Sequence, residues 1–160
     1  MRYAGILCDD FVNGQNVCVS FWVQGCNLKC PGCHNAQTWD FNGGTEVTAD
    51  TIPTIIKAIS KNGIQRNLSV LGGEPLCPEN RNFVLELIQT VRKVYPTIQI
   101  FLWTGYELSE LKEENDPTIN KILSLVDTLI TGRFVLAERD ITLPLRGSRN
   151  QKVLRKGEDF

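Results

Sequence analysis

Three cysteines in the run Cys26-Asn-Leu-Lys-Cys30-Pro-Gly-Cys33 are the residues of this chain whose types and spacing best suit metal chemistry. They place three thiolates in one short loop, and no fourth cysteine follows closely. Iron–sulfur clusters that only carry electrons usually have four cysteine ligands, and structural zinc sites also have four ligands. Three clustered ligands therefore predict a metal centre with one open coordination position, where a substrate can bind.

Sulfur-only ligation favours an iron–sulfur cluster over hard metal ions. The alternatives are a zinc knuckle and simple reduced thiols. Zinc needs a fourth ligand, and the only histidine, His34, is adjacent to Cys33 and badly placed to provide it. Pro31 and Gly32 allow the chain to turn tightly around a cluster without a side-chain clash.

A second motif, Gly72-Gly73-Glu74-Pro75, follows a short apolar run. By itself it is compatible with an ordinary turn at the end of a strand. As a functional motif, its glycines would let a ligand approach the backbone, and the Glu74 carboxylate would accept a hydrogen bond from a cationic amine. Because a side chain in a left-handed conformation costs only ~1–2 kcal/mol, we expect Gly→Ala substitutions here to weaken ligand binding more than folding.

Composition limits the classes of function. The chain has 160 residues with 17 basic and 18 acidic side chains, so bulk charge gives no reason to expect a nucleic acid partner. No apolar stretch approaches the ~20 residues of a membrane-spanning helix, and the first residues lack the apolar core of a signal peptide. Six cysteines in such a chain are more typical of metal binding in a reducing compartment than of disulfides, so we expect a cytoplasmic protein.

Apolar periodicity predicts the elements that must position the two motifs. The predicted strands cover residues 17–23, 68–71, 98–103 and 129–130, and the helical stripes cover 52–59, 83–94 and 119–126, with a polar helical face within 107–114. Alternating strands and helices predict one α/β domain over 1–160 with a mostly parallel sheet. There is room for about five βα units, too few for a closed eight-unit barrel. We therefore expect a partial, open (βα) barrel, with the cysteine loop (25–40) and Gly-Gly-Glu-Pro at the strands' carboxyl ends, where ligands bind.

The cysteine run followed by Gly-Gly-Glu-Pro resembles the radical S-adenosylmethionine (SAM) superfamily. Further motifs narrow the resemblance: Asn13-Gly14, Pro31-Gly32-Cys33-His34-Asn35, Thr38-Trp39, Trp103-Thr104-Gly105-Tyr106 and Leu145-Arg146-Gly147-Ser148-x-Asn150-Gln151. Together they cover nearly the whole chain and resemble the proteins that activate anaerobic (class III) ribonucleoside-triphosphate reductases by generating a glycyl radical.

The resemblance implies a set of site residues. Cys26, Cys30 and Cys33 would hold one [4Fe–4S] cluster, and SAM would chelate its fourth iron through the amino and carboxylate groups. The other residues implied in SAM binding are Gly32, Cys33, His34, Gly72, Gly73 and Glu74, with Glu74 accepting the SAM amine and the backbone of 32–34 against the adenosyl part. The chain departs from the family pattern at two positions, where Cys18 replaces an expected arginine and Thr131 an expected aspartate.

The resemblance also implies the reaction and the partners. A flavodoxin- or ferredoxin-like donor would reduce the cluster, SAM would be cleaved to a 5′-deoxyadenosyl radical, and this radical would take a hydrogen atom from a glycine of the reductase catalytic subunit. No catalytic residue beyond the cluster and SAM is implied in this oxidoreductase. The residues expected to face the partner are Tyr106, Arg146, Asn150 and Gln151. The basic C-terminal segment (133–160) is either a solvated tail or a docking surface.

Two other functions remain open from the residues alone. One is a different radical SAM enzyme, which would act on a small molecule or on another glycyl-radical enzyme. The other is a non-catalytic iron–sulfur or zinc protein, in which Cys77 or Cys18 would provide the fourth ligand.

Overall fold

A computed structural model describes residues 1–160, in which four helices cover a seven-stranded sheet. In chain order the strands are β1 (Arg2–Asp10), β2 (Cys18–Gln24), β3 (Thr45–Glu46), β4 (Asn67–Gly72), β5 (Ile100–Trp103), β6 (Thr128–Thr131) and β7 (Lys152–Arg155). The helices are α1 (Thr51–Ile59), α2 (Pro78–Val94), α3 (Leu108–Glu114) and α4 (Pro117–Leu125). Short 3₁₀ turns cover Ala36–Thr38, Lys61–Gly63 and Leu136–Glu138.

The sheet is mixed, with the strand order β3-β1-β2-β4-β5-β6-β7. β2, β4, β5 and β6 are parallel, whereas β1, β3 and β7 pair antiparallel at the two sides. The prediction of one α/β domain with a mostly parallel central sheet is confirmed. The prediction of about five βα units is wrong, because only three crossovers join parallel strands and the remaining strands are antiparallel additions at the edges.

All helices lie on one face of the sheet. From β2 to β6 the strands follow one another in a single direction, so right-handed crossovers bring every helix to the same side. The core on that side combines alternate strand residues, such as Val19, Phe21 and Val23 of β2, with the apolar stripes of α1, α2 and α4. The intervening strand residues point to the opposite face, which no helix covers.

Local sequence explains where the helices begin. Pro78 occupies the first turn of α2, where a missing amide proton costs nothing. α3 begins with a capping box between Glu107 and Glu110. The Asp116 side chain accepts a hydrogen bond from the Ile119 amide at 3.0 Å at the start of α4. The three helices predicted from the apolar stripes are confirmed as α1, α2 and α4. No helix is long and apolar enough to span a membrane.

Three strands lie outside the sequence prediction: β1, the two-residue β3, and β7. β1 is the longest strand, and it pairs with β2 through an irregular register that shifts between Tyr3 and Gly5 and between Leu7 and Asp10. β7 comes from the basic C-terminal segment and pairs residue by residue with β6, from Thr131 opposite Lys152 to Thr128 opposite Arg155. The solvated-tail interpretation of that segment is therefore wrong.

Candidate metal and ligand site

A cavity of about 490 Å³ lies at the carboxyl ends of the parallel strands, on the sheet face that the helices leave uncovered. Its wall includes the residues that directly follow β2, β4, β5 and β6, and its volume is within the usual range for small-molecule sites. Trp22, Leu71 and Trp103 of the sheet form an apolar floor. Ligands bind at this edge in parallel α/β folds.

The cysteine loop forms one wall, and all three of its thiols line the cavity. Backbone hydrogen bonds fix the start of the loop: the Gly25 amide donates to the Thr38 carbonyl at 2.7 Å and the Cys26 amide to the Trp39 carbonyl at 3.1 Å. Cys26 is buried, and Cys30 and Cys33 are half-buried. Gly32 takes a φ of 77°, a left-handed conformation that glycine adopts without strain, and this lets the loop turn between the last two cysteines.

The donor set suits an iron–sulfur cluster. No three histidine, cysteine, aspartate or glutamate side chains are arranged to hold a single metal ion. The three thiols instead share one cavity, and in a [4Fe–4S] cluster each thiolate binds a different iron. Burial raises the pKa of the Cys26 thiol, so a metal must displace its proton on binding.

The two cysteines considered as fourth ligands do not line this cavity. Cys77 is fully buried, and burial followed by the charge of Glu74 raises the pKa of its thiol to about 12. Cys18 is also fully buried, its thiol donates to the Gln15 carbonyl at 3.5 Å, and burial raises its pKa. Protonated, enclosed thiols are poor ligands. The geometry thus disfavours the non-catalytic alternative that uses either cysteine.

Glu74 lines the same cavity beside the start of the cysteine loop, where its amide donates to the Gly25 carbonyl at 2.9 Å, and its side chain is only 1% exposed. Its Oε1 accepts hydrogen bonds from the Thr104 hydroxyl at 2.7 Å and from the Leu76 amide at 3.0 Å, and its Oε2 accepts one from the Gly105 amide at 2.7 Å. Burial raises the pKa of this carboxyl, and the hydrogen bonds oppose the rise. A carboxylate has about four lone-pair positions, so one remains on Oε2 for a ligand donor.

The two glycines before Glu74 are required by packing within the protein. A Cβ at Gly73 would lie 2.3 Å from the Gly25 carbonyl oxygen, and a Cβ at Gly72 would lie 2.7 Å from the Val23 backbone. Gly72 also has a φ of 108°. The expectation that Gly→Ala substitutions here affect binding more than folding is wrong, because strand β2 passes too close to admit a side chain.

Tyr106 and Arg133 lie next to the Gly105 turn that holds Glu74. The Tyr106 hydroxyl accepts a hydrogen bond from the Asn27 side chain of the cysteine loop at 2.8 Å, and burial raises its pKa. The Arg133 guanidinium lies 5.4 Å from the centre of the Tyr106 ring, donates to the Gly105 carbonyl at 3.1 Å and forms an ion pair with Glu110. Arg133 therefore supports the turn whose amide holds Glu74.

The C-terminal segment closes the cavity. The Trp103 indole donates to the Leu145 carbonyl at 2.7 Å. Gln151 accepts from the Gly147 amide at 2.9 Å and donates to the Gly132 carbonyl at 3.0 Å, while Asn150 donates to the Arg133 carbonyl at 2.8 Å. Arg146 and Gln151 both line the cavity. All four residues expected to face a partner thus have polar contacts inside the protein, since the Tyr106 hydroxyl also accepts a hydrogen bond from Asn27, and their contact with a partner stays a prediction.

The two departures from the family pattern lie away from the cavity wall. Cys18 packs beneath the loop before β2, where a Cβ at Gly14 would lie 2.6 Å from its sulfur. Thr131 ends β6, is 1% exposed and has a hydroxyl without a hydrogen-bond partner. Nothing in the structure explains the choice of threonine there.

Sequence reasoning missed the roles of Thr104 and Gly105 as donors to Glu74. Their positions in the sequence could have indicated this role. Thr104 and Gly105 directly follow β5, as Gly73 and Glu74 directly follow β4, and the carboxyl ends of adjacent parallel strands meet at one edge of the sheet.

Known proteins that resemble this chain support the assignment of an iron–sulfur site. A family model described as a 4Fe-4S single cluster domain matches residues 12–154, a range that contains every residue of the cavity wall.

Three relatives share the name anaerobic ribonucleoside-triphosphate reductase-activating protein. The Vibrio cholerae protein is 37% identical over 147 residues, covering 91% of this chain and 92% of the relative. The Escherichia coli K12 protein is 37% identical over 145 residues, covering 90% and 92%. The protein of phage T4 is 37% identical over 155 residues, covering 96% and 93%.

The chain belongs to the family of anaerobic ribonucleoside-triphosphate reductase-activating proteins. In this member of the family, the three cysteines of the loop and Glu74 line one cavity, which residues of the C-terminal segment also line. The family resemblance derived from the sequence motifs is confirmed.

Proposed function

We propose that this chain generates the glycyl radical of an anaerobic ribonucleoside-triphosphate reductase by reductive cleavage of SAM, as a radical SAM oxidoreductase. The observation that carries the proposal is that three thiols and one buried carboxylate line a single cavity of SAM-compatible volume. Family membership supports the reductase as the target, because the relatives are named as its activating proteins.

Cys26, Cys30 and Cys33 would hold the [4Fe–4S] cluster and leave its fourth iron open. When bound, the cluster supplies the single electron that breaks the bond between the SAM sulfonium and C5′, giving methionine and a 5′-deoxyadenosyl radical. The 4Fe-4S family model supports the cluster.

Glu74 would accept a hydrogen bond from the SAM amino group through the free lone pair on Oε2. Its three internal donors fix the carboxylate before the ligand arrives, which lowers the entropy that binding would otherwise cost. The backbone of Gly32–His34 would lie against the adenosyl part, and the 72–74 turn would border the methionine end. A hydrogen bond from this amino group favours the ionised carboxylate of Glu74 and opposes the effect of burial on its pKa.

The fold supports a partial (βα) barrel of the radical SAM kind. Four parallel strands advance in one direction and carry their helices on one side, as the strands of a barrel do. The uncovered face supplies the apolar floor of Trp22, Leu71 and Trp103. Such a floor excludes water, which would otherwise react with or dissipate a radical intermediate.

The residues at the opening of the cavity favour a protein as the donor of the hydrogen atom. Val12 and Ile141 line the cavity and are 79% and 80% exposed, and Phe11 beside them is 74% exposed. Exposed apolar side chains grouped at a reaction site are typical of a surface that a partner covers. The radical glycine of the reductase catalytic subunit would enter here, and the residues that would face it are Tyr106, Arg146, Asn150 and Gln151. A flavodoxin- or ferredoxin-like protein would deliver the electron.

The experiment is anaerobic. The protein is reconstituted with iron and sulfide, reduced, and given SAM, and 5′-deoxyadenosine is measured with and without the reductase. We expect 5′-deoxyadenosine together with a glycyl radical signal in the electron paramagnetic resonance spectrum of the reductase, and neither with the Cys30→Ser variant. Product without a radical on the reductase would exclude this partner and retain the radical SAM chemistry. No product from a fully loaded cluster would refute the proposal.

A further inference from the structure

The cysteine loop has an outer face that does not line the cavity. All three thiols line the cavity, whereas Lys29, Pro31 and Gly32, which lie among them in the sequence, are exposed and outside its wall. Left-handed φ values of 48° at Lys29 and 77° at Gly32 turn the chain here, and the Cys33 amide donates to the Cys30 carbonyl at 3.1 Å. Two of the three proposed cluster ligands are thus bonded directly to residues exposed on the outer face.

An exposed apolar side chain packs against this outer face. Leu136 of the C-terminal segment lies so close to Gly32 that a Cβ there would be 3.0 Å from the Leu136 Cδ1. Leu136 is nonetheless 57% exposed and does not line the cavity. Pro31 and Ala137, the chain neighbours of these two residues, are also exposed. We call Pro31, Gly32, Leu136 and Ala137 the outer loop patch; an apolar patch with a polar rim is typical of a contact surface.

The exposed charges beside the outer loop patch are positive. Residues 25–39 contain one lysine, Lys29, and no aspartate or glutamate. Lys29 and Arg139, which follows the patch in the C-terminal segment, are exposed and form no ion pair. The carboxyl groups on either side of Arg139, those of Glu138 and Asp140, belong to half-buried residues. An apolar centre with free cations at its rim is complementary to an acidic protein.

We infer that the outer loop patch is the docking surface for an acidic electron-transfer protein of the flavodoxin or ferredoxin kind. The inference rests on the proposed function, which supplies the cluster and its need for one electron. In this step the donor is oxidised by one electron and the cluster is reduced by one, and no bond forms or breaks. Electron transfer needs a short distance between two centres, which the outer loop patch provides. Redox encounters use small, transient interfaces, so a patch of few residues is sufficient.

The outer loop patch is separate from the surface proposed for the reductase. A glycine of the reductase must reach the inside of the cavity, at the opening that carries Val12 and Ile141. An electron does not have to enter the cavity, because it passes through the cysteine loop. No residue of the outer loop patch lines the cavity. The two partners therefore use different surfaces, and a substitution can disturb one without the other.

The test measures the rate of cluster reduction by anaerobic stopped-flow spectrophotometry with two reductants. Flavodoxin hydroquinone is a protein that needs a docking surface, and photoreduced deazaflavin is a small molecule that does not. The reconstituted proteins are the wild type, Lys29→Gln and Leu136→Glu. Lys57→Gln and Ile64→Glu are the matched controls, because Lys57 is exposed on α1 and Ile64 is 54% exposed before β4, at the amino ends of the parallel strands. Iron content and the thermal unfolding midpoint show that each protein is loaded and folded.

We expect Lys29→Gln and Leu136→Glu each to slow reduction by flavodoxin roughly three- to ten-fold at low ionic strength, and to leave reduction by deazaflavin unchanged. Both controls should behave as the wild type, whose rate with flavodoxin should fall as salt is added. Arg139→Glu replaces Leu136→Glu in the test if the latter does not load iron. Equal flavodoxin rates in all proteins, equal slowing with both reductants, or no reduction of the wild type by flavodoxin would overturn the inference.

Radical formation separates this surface from the one for the reductase. With deazaflavin as the reductant, Leu136→Glu should generate as much glycyl radical on the reductase as the wild type does. Loss of the radical under these conditions would assign the outer loop patch to the reductase and overturn the inference. A reduced wild type that does not cleave SAM would instead refute the proposed function, while the reduction rates would still show where the electron enters.

Discussion

The Gly105 amide donates a hydrogen bond of 2.7 Å to the Glu74 carboxylate, and this bond joins the carboxyl ends of β4 and β5. Glu74 is consequently both a ligand group and a structural acceptor. Removal of its side chain leaves three donors without an acceptor: the Gly105 amide, the Leu76 amide and the Thr104 hydroxyl.

We expect Glu74→Ala to abolish measurable SAM binding and also to lower the free energy of unfolding by about 2 kcal/mol or more, since each buried donor without an acceptor costs about 1–3 kcal/mol. Iron content should stay close to that of the wild type, because the cysteine loop is separate from the lost contacts. Urea unfolding, calorimetry and iron analysis measure the three quantities. Glu86→Ala, at an exposed position of α2, is the control and should change none of them. Unaltered SAM affinity in Glu74→Ala would remove Glu74 from the site.

The raised pKa of Glu74 predicts a dependence of stability on pH. A carboxyl whose pKa is higher in the folded state holds more protons there than in the unfolded state, at pH values between its unfolded and folded pKa. Within that window its contribution to stability falls as pH rises above about 4.5. We expect the wild type to show this decline in unfolding free energy and Glu74→Gln, which cannot titrate, to lack it. Identical pH profiles for the two proteins would contradict the assignment.

The cysteines divide into two groups by their surroundings. Cys26→Ser, Cys30→Ser and Cys33→Ser should each lose the cluster, because each removes one of only three thiols on the cavity wall. Cys18→Ser and Cys77→Ser should keep full iron and sulfide content, since both thiols are enclosed outside the cavity. Chemical iron and sulfide analysis after anaerobic reconstitution measures this directly. A full cluster in Cys30→Ser would count against three-cysteine ligation, and cluster loss in Cys77→Ser would indicate a fourth protein ligand.

Gly73→Ala tests the close approach of β4 to the start of the cysteine loop. The new Cβ would lie 2.3 Å from the Gly25 carbonyl oxygen, a backbone atom that cannot rotate away. We expect the free energy of unfolding to fall by about 2 kcal/mol or more, in the range of other overpacked sites, and cluster retention to fall with it because Gly25 adjoins Cys26. Gly5→Ala is the control, since a Cβ at Gly5 meets nothing within 4 Å. A stable Gly73→Ala variant with a full cluster and weak SAM binding would restore the original ligand-approach interpretation.

The central elements of the fold were predictable because their apolar residues repeat at regular periods. Ile55 and Ile59 mark the buried stripe of α1, and the apolar run of β4 ends at Gly72 as expected. β1 was not predictable, because Gly5 and two register shifts interrupt its alternation. β7 has four residues with charged ends, and its strand character depends on pairing with β6.

Some residues of the candidate site were also predictable from the sequence, and others were not. Cysteine spacing and the Gly-Gly-Glu-Pro motif identify Cys26, Cys30, Cys33 and Glu74, because their chemistry is local. Arg146 and the donors to Glu74 owe their positions to hydrogen bonds between distant parts of the chain, such as that from Trp103 to Leu145. Side-chain bonds to backbone carbonyls leave no periodic trace in a sequence, so the bond from Trp103 to Leu145 could not be inferred before the fold. The donors to Glu74 had a signal in the sequence, because Thr104 and Gly105 directly follow β5.

The bond between Trp103 and Leu145 also has a consequence for the order in which the protein matures. The cysteines leave the ribosome before the segment that carries Leu145, which can bind across the cavity only after it has emerged. A nascent chain that has not yet reached this segment, or a chain truncated before it, therefore has an open cavity. Its thiols are accessible to iron donors and to oxidants. Once this segment has folded across the cavity, the cavity is enclosed, so the segment shields thiols that lie much earlier in the chain.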